Sequence, residues 1–188
     1  MKRNTRSLNR IVGPIAALSV SCGFGSTAGA QATIPGTYYP VPSWDQKLPA
    51  SRRFLVLSNW SAAAVLDRET GLVWERAPSS GTTHLSWYSA LEYCANLSVA
   101  HRKGWRLPTI QELGSLVTAS VPYPGPALPE GHPFIGLQEG GYWSSTSHVQ
   151  LPDVARVMVV NTGDVANNEK NGFAYTWCVR GGSGPDSQ

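Results

Sequence analysis

Beyond residue 30 the chain holds two cysteines, Cys94 and Cys178, and their use constrains the fold more than any other feature. The third cysteine, Cys22, lies in a different kind of sequence. Lys2, Arg3, Arg6 and Arg10 form a basic start with no acidic residue among them. Ile11 to Val20 is apolar except for Gly13, Pro14 and Ser19, and small residues follow to Ala28-Gly29-Ala30. A positive start, a short apolar core and an Ala-x-Ala exit describe a secretory leader. Its apolar run of about ten residues is half of the ~20 needed to span a bilayer. We therefore expect residues 1–30 to be a signal peptide cleaved after Ala30, with Ala32 as the neighbouring choice, and no membrane span. Leu18-Ser19-Val20-Ser21 ahead of Cys22 leaves a lipid anchor as the minor alternative, although Ser19 stands where that motif wants a large aliphatic residue. Two distant cysteines in an oxidising compartment suggest a single disulfide. It would close a loop of about 85 residues, worth ~4.5 kcal/mol in the chain-entropy model. Free thiols or metal ligation are the other uses open to the pair.

The leader also accounts for the basic balance. The chain has 15 basic and 12 acidic residues, and four of the basic ones precede residue 31, so 11 against 12 remain. A net charge near neutrality removes the main support for a nucleic-acid or anionic-membrane partner. Arg52-Arg53 and Arg102-Lys103 read as solvated surface pairs.

Residues 31–52 are rich in Pro, Thr, Tyr and Ser, with prolines at 35, 40, 42 and 49, and read as an extended arm or linker. From residue 53 the pattern becomes globular and runs to about 182, leaving 183–188 as a tail. Phe54 to Leu57 is a strand candidate. Ala64-Val65-Leu66 and Leu72-Val73-Trp74 flank a polar loop ending in Gly71, which makes a hairpin. A helix should follow, capped by Ser86, with Trp87, Leu91, Cys94 and Leu97 on one face and Gly104 as its stop. A second should start after Pro108, where Thr109 and Glu112 have capping-box spacing. Residues 121–133 contain five prolines and read as a loop. Tyr142–Ser147, Val154–Val160 and Phe173–Arg180 read as strands separated by Pro152, Gly163 and Asn-rich turns. Helices and strands in separate blocks argue for one α+β domain.

Several blocks then match a known family in order. Arg53-Phe54, Val65-Leu66-Asp67-Arg68-Glu69-Thr70-Gly71-Leu72-Val73-Trp74-Glu75-Arg76, Trp87 to Leu97 and Gly104-Trp105-Arg106-Leu107-Pro108-Thr109-Ile110-Gln111-Glu112-Leu113 are followed by Tyr142-Trp143-Ser144-Ser145-Thr146-Ser147 and Cys178-Val179-Arg180-Gly181. The chain thus resembles the Lcl C-terminal domain family over residues 53–182. The resemblance implies a C-type-lectin-like fold related to formylglycine-generating enzyme domains, with two helices packed on small antiparallel sheets, long loops and one disulfide. It implies the same Cys94–Cys178 pairing. The family includes the tip of a collagen-like adhesin that binds sulfated glycans, but no collagen repeat occurs here, and a fold alone does not transfer a function.

Catalytic chemistry finds little support in the sequence. His84, His101, His132 and His148 lack zinc-site spacing, with His132 and His148 read as surface. Ser144 and Ser145 lack the glycines of a nucleophile elbow. Paired carboxylates from Glu112, Asp164 and Glu169 are conceivable, but nothing brings them together. The calcium motifs of true C-type lectins are reduced to Leu151-Pro152-Asp153, and Trp143-Ser144-Ser145 offers hydroxyls where acids would stand. Asp164, Asn167, Asn168 and Glu169 could supply some oxygens for Ca2+ from one turn, with Asp164 and Glu169 as the charged candidates. The ordinary role of Asn and Asp in turns is the competing account. Trp74, Trp87, Trp105 and Trp177 are expected in the core. Trp143 is either another core tryptophan or an exposed ring that could stack on a sugar, with Lys170 and Arg156 nearest for a sulfated group. Arg106 and Glu112 should pair locally.

The expected function is an exported binding module that recognises a glycan or surface protein through Trp143, Asp164, Asn167, Asn168 and Lys170. No cofactor is required by this reading. The alternative is an envelope assembly role in which the arm docks through Tyr38, Tyr39 and Trp44. An enzyme related to the formylglycine fold would need titratable groups converging in one pocket.

Overall fold

In the computed structural model, residues 48–78, 83–118 and 121–181 are described. The leader with Cys22, most of the arm with Tyr38, Tyr39 and Trp44, and the tail from 183 lie outside them. The described chain opens with one helical turn, α1 (Ala50–Arg53), which runs into β1 (Phe54–Val56). A 3-10 turn at Ser58–Trp60 reverses it into β2 (Ala64–Asp67), and Arg68–Gly71 carries it into β3 (Val73–Glu75). Gly71 sits at φ 71°, a left-handed conformation that a side chain would disfavour, so the expected hairpin closes on a glycine.

Both expected helices form, each from its local cap. α2 (Trp87–Asn96) starts where the Ser89 N–H donates to the Ser86 hydroxyl at 3.3 Å. α3 (Ile110–Leu116) starts with a full capping box, Glu112 N–H to Thr109 Oγ1 at 3.2 Å and Thr109 N–H to Glu112 Oε2 at 2.8 Å. The short β4 (Trp105–Arg106) lies between them. α2 does not reach Gly104. Val99 and Arg102 exchange backbone hydrogen bonds at 3.1 and 2.9 Å across a tight turn. Ala100 and His101 take φ of 48° and 62° there, as a primed turn requires and a helix forbids.

The remaining strands are β5 (Gly141–Ser147), β6 (Val154–Val159), β7 (Asp164–Glu169) and β8 (Val179–Arg180). β5, β6 and β7 form one antiparallel sheet. β7 corrects the expectation of a turn over these residues. Its Asp and Asn side chains have weak strand preference, yet β6 pairs with it in unbroken register from Val154–Glu169 to Val159–Asp164. β8 joins the other sheet, ordered β1-β2-β3-β8-β4 with antiparallel neighbours. The strand expected over Phe173–Arg180 is instead two isolated bridges, Ala174 to Leu85 and Tyr175 to Tyr142, followed by β8.

Strand alternation sends neighbouring side chains to two cores. Tyr142 and Met158 join Trp74, Leu113, Leu116 and Trp177 in one. Trp143 and Val157 join Ala90, Trp105 and both cysteines in the other. Cys94 and Cys178 form the expected disulfide, with Cα atoms 5.5 Å apart, and so pin α2 to the segment entering β8. Trp74, Trp105 and Trp177 are buried as expected, while Trp87 is half-buried and donates to the Ser144 carbonyl at 2.8 Å.

The Arg52-Arg53 pair divides, which corrects its reading as surface. Arg52 is exposed, whereas Arg53 is 1% exposed. Arg53 Nε and Nη2 donate to the two Asp67 carboxylate oxygens at 2.9 and 2.7 Å, and Nη2 also donates to the Ser115 carbonyl at 2.8 Å. Buried Glu69 lies 3.4 Å from Arg53 Nε and accepts the Leu48 N–H. This network ties α1, the β2–β3 hairpin and α3 together. Arg106 and Glu112 pair as expected, at 2.7 and 2.5 Å.

Candidate functional site

The β6–β7 ladder ends with the Lys170 N–H donating to the Asp153 carbonyl at 2.7 Å. The chain then turns through Glu169–Gly172, closed by the Gly172 N–H on the Glu169 carbonyl at 2.8 Å. A Cβ at Gly172 would lie 3.0 Å from the Glu169 carbonyl oxygen and 2.7 Å from Asn168 Oδ1, so a side chain there would have to displace its neighbours. It abuts the start of α2, where the Trp87 N–H donates to the Lys170 carbonyl at 3.0 Å. The Lys170 ammonium rests 4.3 Å above the Trp87 ring. With the apolar stripe of α2 turned to the core, Tyr88 stands 58% exposed, edge-on to Trp87 at 5.3 Å.

These elements frame an open cleft of about 370 Å³ lined by Tyr88, Asp153, Val154, Glu169, Lys170 and Asn171. Among the described residues no ion pair within 4.0 Å joins Lys170 to Asp153 or Glu169. The cleft therefore combines an aromatic surface with two carboxylates, an ammonium and a carboxamide, suited to hold a hydroxyl-rich ligand by stacking and hydrogen bonding. Backbone hydrogen bonds fix its walls before any ligand arrives.

Some expected residues meet here and others do not. Lys170 and Glu169 line the cleft. Trp143 does not: it is fully buried, and its Nε1 donates to the Leu85 carbonyl at 2.7 Å. Alternation along β5 turns it into the second core, so it cannot stack on a ligand. Asn168 Nδ2 donates to the Phe173 carbonyl at 3.1 Å, bracing the turn behind the cleft. Asn167 is exposed opposite Arg156 on β6. Asp164 is exposed at the far end of β7. A strand rising ~3.4 Å per residue puts Asp164 about 17 Å from Glu169 and on the other face. The two charged candidates for Ca2+ are thus separated, because β7 is a strand and not a turn. Among the described residues, no three His, Cys, Asp or Glu side chains gather as a metal site.

Sequence reasoning missed Tyr88 and Asn171. A signal for Tyr88 was present, since it lies off the Trp87, Leu91, Cys94 stripe and so falls on the polar face of α2. Asp153 had been noticed only as the end of Leu151-Pro152-Asp153. His132, read as surface, is half-buried and stacked on Phe134 with ring centroids 5.9 Å apart. Its Nδ1 is buried without a partner, and burial lowers its pKa.

Comparison with known proteins gives one match: residues 63–180 fit the family model of the Lcl C-terminal domain. No curated protein matches the chain.

Proposed function

Because the chain belongs to the Lcl C-terminal domain family, we propose that it is an exported binding module of C-type-lectin-like design that recognises a glycan through the Tyr88 cleft. The observation that carries this reading is the convergence of an exposed ring with Asp153, Glu169, Lys170 and Asn171 on hydrogen-bonded turns. A ring face accommodates the apolar face of a pyranose, and the flanking groups match its hydroxyls. Two carboxylates favour a neutral or amino-substituted sugar over a sulfated one, since the Lys170 charge lies against Trp87. Export is supported by the leader at 1–30 and by a Cys94–Cys178 disulfide, which persists in oxidising compartments. No helix among the described residues is long and apolar enough to cross a membrane.

The test is a glycan array probed with the oxidised full chain and its Tyr88→Ala variant, with calcium and with EDTA. We expect a related set of glycans to be retained by the chain and weakened about tenfold in the variant, the upper end of an aromatic contact. Binding indifferent to Tyr88 places the site elsewhere, and loss in EDTA adds calcium to it. A monodisperse, oxidised protein that binds no glycan would overturn the glycan reading in favour of a protein partner or an assembly role.

A further inference from the structure

A separate cavity of about 380 Å³ opens where β2 begins, β3 ends and α2 gives way to the Val99–Arg102 turn. Ala62, Ala63, Ala77, Leu97, Val99 and Ile135 form its apolar wall. This is a core-like set without a core-like cover: Ile135 is 51% exposed, and Leu97 and Val99 are only partly buried. Three alanines leave open the space that larger aliphatic side chains would fill.

Arg76 gives this cavity its chemistry. Its Nε donates to the Pro133 carbonyl at 3.1 Å and its Nη1 more weakly to the Ala62 carbonyl at 3.4 Å. A guanidinium has five N–H donors, so most of them, including both on Nη2, have no acceptor among the described residues. No carboxylate among the described residues pairs with it within 4.0 Å. Glu75 also lines the cavity; it is buried, and its Oε2 accepts the Cys178 N–H at 2.9 Å. Two backbone carbonyls thus hold a guanidinium in place beside an apolar wall, with donors left over among the described residues.

We propose that this cavity is a second ligand site, taking a small amphipathic carboxylate whose aliphatic chain lies on the alanine wall and whose head pairs with Arg76. Arg–carboxylate pairs are among the strongest charge-assisted hydrogen bonds, and a preoriented guanidinium loses little freedom in forming one. The volume falls in the range of small-molecule sites. The cavity shares no lining residue with the Tyr88 cleft, so either site can fail without the other.

Octanoate and octanamide, which share a tail and differ in charge, are the probes for titration calorimetry on the oxidised full chain. We expect saturable one-to-one binding of octanoate at least tenfold tighter than that of octanamide. Arg76→Gln should bring octanoate down to the octanamide level. Ala63→Trp, at an exposed wall position, should abolish both while leaving the urea-unfolding midpoint close to that of the parent chain. Tyr88→Ala should change neither. Equal affinity for the two probes, octanoate binding unmoved by Ala63→Trp, or no saturable binding overturns the proposal.

Discussion

Arg53→Met is the sharpest test of how the N-terminal turn, the first hairpin and α3 are joined. Methionine keeps an apolar stem of similar length and removes the charged head, together with its stacking on the Phe54 ring, whose centroid lies 4.8 Å from the guanidinium carbon. Three hydrogen bonds disappear with it, two to Asp67 and one to the Ser115 carbonyl. Asp67 keeps the Glu69 N–H at 3.0 Å, and Glu69 keeps the Leu48 N–H. Both carboxylates stay buried and lose their counter-charge. Removing one partner of a buried ion pair typically costs 3–5 kcal/mol. One guanidinium serves two carboxylates here, so we expect the upper end, ~5 kcal/mol, against a total of roughly 5–15 kcal/mol for a domain. Urea unfolding followed by tryptophan fluorescence at pH 7 measures this. Adding Asp67→Asn and Glu69→Gln to Arg53→Met should return more than half of the loss. A deficit below about 1 kcal/mol at pH 7, the scale of an exposed pair, would refute the assignment.

Two further outcomes follow from the core. The Cys94–Cys178 bridge spans 84 residues, so Cys94→Ala with Cys178→Ala should lower stability by ~4.5 kcal/mol; a wild-type unfolding midpoint unmoved by a reducing agent that opens the bridge counts against this. Burial holds the His132 imidazole below its ordinary value, so the unfolded chain takes up that proton first as pH drops below about 6.5. The stability this residue contributes is complete above that pH and is lost below it. His132→Phe should therefore reduce the loss between pH 7 and 5 in the same urea assay, and an unchanged loss would dismiss the residue as a cause.

The features legible in the sequence are those decided within a few residues. Ser86 with Ser89, and Thr109 with Glu112, make their caps wherever the helix lies, and Gly71 closes its hairpin by its own conformational freedom. The disulfide was legible because only two cysteines, Cys94 and Cys178, stand beyond residue 30. Less legible is what depends on a distant partner. β7 exists because β6 offers it six registered neighbours, which its polar composition does not suggest. Arg53 is drawn inside by Asp67, and Arg52 beside it has no such partner among the described residues. Trp143 and Tyr142 look equivalent in one dimension and enter different cores in three. The cleft shows the same division: Lys170 and Glu169 were near enough to a turn to be noticed, whereas Tyr88 becomes a ligand surface only once α2 docks against that turn.

The place of β8 in its sheet sets an order on assembly. Although it is the last described strand, it lies between β3 and β4, and β4 has no other strand neighbour among the described residues. Until residues 178–180 arrive, β3 has an open flank, Glu75 lacks the Cys178 N–H and α2 lacks its covalent tether. The domain behaves like a clasp whose pin comes last. Early segments can collapse, but their most distant contacts pay the loop-closure entropy together, at the end. Under the export proposed above, the chain would thus remain threadable until almost all of it had crossed, and would lock on the side where its cysteines can oxidise.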